Sequence, residues 1–543
     1  MIFSLAKKST LIVEDFAEFA RSVRAMLHNM GATKVDIVYN AEDAIDACKA
    51  RKYDVILSDY NLGTKKDGQQ LLEELSKYHL LKSNCVFLLL TAENTSAMVM
   101  GAVEFQPDGY IAKPFTGNLL KSKLQKTIEK KDALQPIRRA IINKKWNEAL
   151  ENIQQISEEH PKYKMSCLRL KYQALKNLKQ FDKALELVTQ IVAQRAIPWA
   201  VQAVGEIFYL KNDFTKAMDI FKNMTTEFPM ALEGYDWLAK IQRQLGQPIE
   251  AQITLTKAIE KSPKALQRQK NLGALAEENN DLPVMTKAYR QAVKHSTNSA
   301  FSSPDEYIKL TTALTRQVAQ GAETIPEKII HEAESVFAKL EKSFLSSSSA
   351  RLRSSVAQAL LYKANKDEEQ EKKYLALAEK NLHKIDEQIS AEVSLELSRS
   401  LKSLGKEELS DQILNEAIQQ NIDDQDFIKK ASEITSNHEL IKVSKQASQN
   451  NSKAINYFKN KKYSDSILYF DKAHKLAPTN INICLNYVQS LLKHAQTLNN
   501  SKETIQNADN MLTAMPQLNF SDPRYARYSE LSRLVQLMIQ NST

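Results

Sequence analysis

Five residues have side chains that could do chemistry together: Glu14, Asp15, Asp59, Thr91 and Lys113. Each closes or follows a short apolar run. Leu11-Ile12-Val13 precedes Glu14, Val55-Ile56-Leu57 leads to Asp59, Val86 to Leu90 leads to Thr91, and Ile111-Ala112 leads to Lys113. If these runs are parallel strands, their carboxyl ends share one sheet edge, where open α/β sheets bind ligands. Three carboxylates brought together repel, and a hard cation that takes oxygen ligands relieves the repulsion. Mg²⁺ suits such a site because it retains several waters. An ionised Asp59 could then attack phosphorus as a nucleophile. Lys113 and the cation would neutralise charge on the phosphoryl oxygens, and Thr91 would hydrogen-bond one of them.

The elements needed to position these groups are legible. Six of the twelve glycines fall before residue 118, and the other six are spread over the rest of the 543 residues. Glycine marks tight βα connections, so an α/β domain should come first and long helices afterwards. Strands are expected at Thr10–Val13, Val35–Val38, Val55–Ser58, Val86–Leu90 and Gly109–Ile111. Helices are expected at Phe19–Leu27, Ala41–Lys49, Gln69–Leu75 and Leu119–Ile128. Alternating βα units predict a doubly wound parallel sheet over residues 1–128, and the charged stretch 129–135 is expected to link it to the remainder or, equally, to carry the last helix directly into the next domain.

Beyond that point the period changes. Ala184, Ala217 and Ala251 recur at intervals of 33 and 34 residues, and Phe181 and Phe214 each precede an alanine by three. Pro161, Pro229 and Pro263 each lie twelve residues after a small residue, Ala149, Ala217 or Ala251. Small residues such as Gly205 and Ala217 let antiparallel helices approach, and Phe208 and Phe221 fill the space beside them. Helical repeats are expected over 136–298, degenerate helices over 299–450, and a further repeat region over 451–543, clearest at Tyr463, Phe470, Ala473 and Pro478. Ser346–Ser349 is expected to be a loop. Trp199, Tyr235 and Trp237 are expected to be packed core rather than ligand anchors.

The bulk composition excludes several classes. No apolar run reaches the length of a membrane span, so no membrane insertion is expected. Cys48, Cys85, Cys167 and Cys484 are too scattered for a zinc or disulfide framework, which fits a reducing cytoplasm. A net charge of +9 is modest for this length, with lysines interleaved with acids. A nucleic-acid partner is therefore not expected.

The segments LIVEDF, ILSDYNLG, LLLTAE and GYIAKPF, with their intervals, make residues 8–128 resemble a CheY-like receiver domain of two-component response regulators. The 34-residue helical pattern resembles tetratricopeptide repeats (TPR). The first resemblance implies a flavodoxin-like fold with Asp59 as phosphoacceptor, assisted by Thr91 and Lys113. It implies Mg²⁺ held by Glu14, Asp15, Asp59 and the backbone carbonyl of Asn61, a Thr91–Tyr110 switch pair, and a cis Lys113-Pro114 bond. A Glu stands first in the acidic pair, and the loop NLGTKKDG is longer than usual and lacks the frequent Met-Pro. Glu93 borders the pocket. Together the resemblances imply a response regulator phosphorylated by a histidine kinase, with repeats that hold an unidentified protein partner. The alternative is a phosphate sink or kinase-binding modulator of another regulator. No enzyme activity is expected beyond assistance to the domain's own aspartyl phosphorylation and dephosphorylation. Homodimerisation through the last receiver helix or the repeats stays open.

Overall fold

The computed structural model describes residues 3–63, 66–92, 106–320, 326–385, 388–497, 502–516, 518 and 522–542. The N-terminal elements are β1 Ser9–Val13, α1 Ala17–Asn29, β2 Lys34–Val38, α2 Ala41–Ala50, β3 Val55–Asp59, α3 Gly68–Lys77, β4 Val86–Thr91, β5 Gly109–Ala112 and α4 Gly117–Ala133. All strand pairings are parallel, in the order β2-β1-β3-β4-β5. The central strands β3 and β4 are buried along their whole length. That is why they read as unbroken apolar runs rather than alternating ones.

The period of two sorts these runs onto two cores. Ile12, Leu57, Leu88 and Leu90 pack with Val23 and Leu27 of α1 and Leu120 and Leu124 of α4. Leu11, Val13, Ile56, Phe87 and Leu89 pack with Ile45 of α2 and Leu71 and Leu75 of α3. Side-chain caps start three of the helices. Asn40 accepts from the Asp43 amide, Asp67 forms a capping box with Gln70, and Thr116 accepts from the Leu119 amide. Each satisfies an otherwise unpaired helix donor.

The stretch 129–135 is no separate linker: the last receiver helix runs almost directly into the next, as the second of the two expectations had it, with the end of α4 followed by α5, Gln135–Ile142. Helices continue as α6 Trp146–Glu159, α7 Lys164–Asn177, α8 Phe181–Gln194, α9 Pro198–Leu210, α10 Phe214–Glu227, α11 Leu232–Gln244, α12 Pro248–Lys261, α13 Leu266–Glu278, α14 Leu282–Ser296 and α15 Pro304–Ala319. The first helices of successive hairpins begin at residues 164, 198, 232 and 266, each 34 after the last. Their internal turns place Lys179, Asn212, Gly246 and Asn280 in the left-handed region.

Close approach explains the small residues. A Cβ at Gly205 would lie 2.6 Å from the Phe221 ring, and one at Gly273 would lie 2.7 Å from the Tyr289 ring. Phe221 is fully buried and stacks on Trp237 at 5.5 Å, so it has little room to yield. Helix propensity favours Val over Gly by only a few tenths of a kcal/mol, whereas overpacking costs ~1–3 kcal/mol. Gly205→Val is therefore expected to destabilise the chain by roughly 2 kcal/mol, read as a lower midpoint in equilibrium urea unfolding.

The chain divides into two compact units, Met1–Ala313 and Leu314–Thr543. The second unit is also built of helical hairpins. Ser348–Ala364 pairs with Glu368–Leu382, Ala391–Ser403 with Glu407–Gln420, and His438–Lys459 with Tyr463–Leu476. Their turns place Lys366, Gly405 and Lys461 in the same left-handed conformation. The region read as degenerate thus keeps the hairpin turn while losing the sequence pattern. The serine cluster, expected as a loop, is half so: Ser346 and Ser347 lie in the turn, and Ser348 and Ser349 begin a helix that Ser347 caps through the Ala350 amide. No described helix is long and apolar enough to cross a membrane.

Candidate functional site

The sheet brings Glu14, Asp15, Asp59, Thr91 and Lys113 to the carboxyl ends of β1, β3, β4 and β5, because parallel pairing sets those ends side by side. Glu14, Asp15 and Asp59 each offer a carboxylate oxygen, and these oxygens lie within 4.8 Å of one another. Glu14 and Asp59 are buried, and Asp15 is exposed. Lys113 Nζ lies 2.8 Å from Glu14 Oε2 and 3.0 Å from Asp59 Oδ2. It also sits 4.4 Å over the Phe19 ring, whose face attracts the ammonium charge.

Burial pushes the Glu14 carboxyl above its ordinary value, helped by the Asp59 charge. The hydrogen bond and charge of Lys113 oppose this shift. As pH falls, Glu14 is thus protonated earlier than an exposed carboxylate would be. A bound cation would hold it ionised. One ammonium against three carboxylates leaves surplus negative charge, and the donors are all oxygen. That set fits a hard divalent cation and no soft one.

Thr91 is buried at the end of β4. Tyr110 is half-buried and packs against the core on the α2–α3 face, where burial raises its hydroxyl pKa. Asn61 is exposed, two residues beyond Asp59. The Lys113-Pro114 bond is cis. Glu93 and part of the loop after Asp59 lie outside the described residues.

Sequence reasoning missed Gly68. This first residue of α3 donates its amide to the Tyr60 carbonyl at 2.8 Å. A Cβ there would fall on the Asp59 carbonyl oxygen and against Leu89 and Ser58. The signal was present in the Asp67-Gly68-Gln69-Gln70 run, a helix start with a glycine where most residues are tolerated. Sequence reasoning also missed what α3 touches. Lys77 Nζ donates to the Ala300 carbonyl at 2.6 Å and lies 5.2 Å over the Phe301 ring. Gln70 Nε2 donates to the Thr297 carbonyl at 3.4 Å. Between these contacts a cleft of about 450 Å³ is lined by Asp67 and Glu73 on one side and Glu233, Lys264 and Arg268 on the other.

A five-stranded parallel sheet in this order, with acids and a lysine gathered at its carboxyl edge, defines a receiver-type α/β domain. The chain belongs to the response regulator receiver family: the family model for the response regulator receiver domain matches residues 10–125. The chemotaxis protein CheY-3 of Vibrio cholerae serotype O1 is 32% identical over 120 residues, covering 22% of this chain and 91% of that protein. The chemotaxis protein CheY of Pseudomonas aeruginosa is 29% identical over 120 residues, covering 22% and 95%. Among solved structures, the signal receiver domain of the putative response regulator NarL from Mycobacterium tuberculosis is 21% identical, covering 22% of this chain and 96% of that one, at a TM-score of 0.20. A tetratricopeptide repeat protein from Parabacteroides merdae is 13% identical, covering 54% and 98%, at a TM-score of 0.30.

Proposed function

We propose that Asp59 accepts a phosphoryl group from a histidine kinase and that the helical hairpins carry the output by binding another protein. The observation that supports the first half most directly is the convergence of Glu14, Asp15 and Asp59 around Lys113. In this reading an Asp59 carboxylate oxygen attacks phosphorus and the P–N bond to the kinase histidine breaks, leaving the electron pair on the imidazole nitrogen. Lys113 turns from Asp59 toward the transferred oxygens, and Thr91 donates to one of them. Glu14, Asp15, Asp59 and the Asn61 carbonyl would hold Mg²⁺, which when bound neutralises charge on the phosphoryl oxygens. Thr91 and Tyr110 would act as the switch pair. No activity on a separate substrate is part of the proposal.

The contacts of α3 supply a route from the pocket to the hairpins. Gly68 ties the start of α3 to the Asp59–Tyr60 backbone, and Lys77 ties its end to residues 300–301 beyond α14. A displacement at the phosphoacceptor therefore has a stiff route to the hairpins. A ligand shifts such an equilibrium only by its differential affinity for the two arrangements. The four cysteines are free and buried, which agrees with a cytoplasmic location.

The test is a pull-down with the full chain, comparing wild type treated with a small phosphodonor and Asp59→Asn. A partner whose affinity differs between the two supports the reading. Identical partner sets and affinities would sink the output half. Kinase capture by both forms, with slowed transfer to another regulator, would favour a phosphate sink.

A further inference from the structure

Two adjoining clefts, of about 730 and 510 Å³, lie where α4 and α5 face α7 and the turn before it. They share Lys130 and Ser166 in their linings, so they form one continuous groove. Six cations line it: Lys121, Lys126, Lys130, Arg138, Lys162 and Arg169. The single carboxylate is Glu129, which meets Lys162 at 3.4 Å. Arg169 lies 5.9 Å over the Trp199 ring, and the buried Nε of Arg138 finds no acceptor among the described residues. The groove thus carries a surplus of positive charge against the interleaved background of the rest of the chain.

Its second half has an aliphatic lining: Leu134, Ile141, Ile142 and Leu170. Ile142 is 64% exposed, an unusual position for an isoleucine at the end of a helix that buries Ile137 and Ala140. The α4 part of the lining, from Asn118 to Lys130, extends ~18 Å at the helical rise. A basic rim of this length running into an aliphatic floor matches one recognition mode, an amphipathic helix laid in a groove. Nucleic acid fits less well. Single strands stack on aromatic platforms, and the one aromatic in the lining, Tyr163, already lies under Lys162 at 4.9 Å.

We infer that this groove is a docking surface for an acidic amphipathic helix of a partner protein, with leucine-type anchors on the floor and carboxylates on the basic rim. The surface stands apart from the phosphoacceptor pocket, and the test does not involve Asp59. Three fluorescent peptides of about five helical turns are titrated into the full chain and followed by anisotropy. One has leucines at helical spacing with glutamates elsewhere. A second replaces the glutamates with lysines, and a third scrambles the acidic sequence so that no apolar face forms. The acidic amphipathic peptide is expected to bind at least about tenfold tighter than either control and to weaken with added salt. Lys130→Glu with Arg169→Glu is expected to weaken it about tenfold or more at an unchanged thermal midpoint, since both residues are exposed. Ile142→Asp tests the floor independently and should also weaken it. Equal binding of the acidic and control peptides overturns the proposal, and so does indifference to the charge reversals. A single-stranded oligonucleotide of about 15 nucleotides that binds tighter than the acidic peptide also overturns it and assigns the groove to nucleic acid.

Discussion

Asp59→Asn is expected to abolish incorporation of acid-labile phosphoryl from a small phosphodonor, with the loss exceeding about a hundredfold. Asparagine keeps the shape of the side chain and removes the nucleophilic oxygen charge. It also removes one of the three carboxylates that lie within 4.8 Å of one another, so divalent-cation affinity should fall in the same variant. The fold should not suffer. Asp59 sits among like charges that Lys113 offsets only in part, and removing one of them relieves repulsion. The thermal midpoint without Mg²⁺ should therefore match or exceed that of wild type. Wild-type incorporation in Asp59→Asn would move the acceptor elsewhere. Loss of both incorporation and folding would show that Asp59 holds the domain together rather than serving its chemistry.

The pocket was legible because parallel strands bring distant residues together at fixed ends. Once Val55–Asp59 and Val86–Thr91 are read as buried strands, the positions of Asp59 and Thr91 follow from the period alone. The hairpin repeats were legible where small residues must admit a ring, as Gly205 admits Phe221 and Gly273 admits Tyr289. They faded between residues 300 and 450 because the left-handed turn, which Lys366 adopts, demands only a local conformation and no particular side chain. Trp237 shows another limit. It packs on Phe221 and Tyr209, as expected of core, and also carries Lys240 at 4.6 Å and lines a cleft, which needs coordinates to see. The approach of α3 to residues 297–301 depends on how successive hairpins accumulate rotation. No pairwise pattern in the sequence encodes that sum.

Gly68 is where the chemistry and the hairpins meet, and Gly68→Ala is expected to damage both. In most helix starts this substitution is mild, because alanine favours the helix by about 1 kcal/mol. Here the added Cβ would strike the Asp59 carbonyl oxygen, which is backbone and cannot rotate away, as well as Leu89 and Ser58. Ser58 Oγ already donates to that same carbonyl at 2.9 Å, so the strand end is held from two sides. The first turn of α3 or the end of β3 must shift. Overpacking of this kind costs ~1–3 kcal/mol. A misplacement of about 1 Å at a reacting group costs on the order of a hundredfold in rate. Phosphoryl incorporation in Gly68→Ala should fall at least tenfold under conditions where the variant remains folded. Amide exchange at residues 297–301 should quicken, because α3 carries Gln70 and Lys77 with it as it moves. Wild-type exchange there beside slowed incorporation would confine the role of Gly68 to the pocket and leave α3 without a part in transmission.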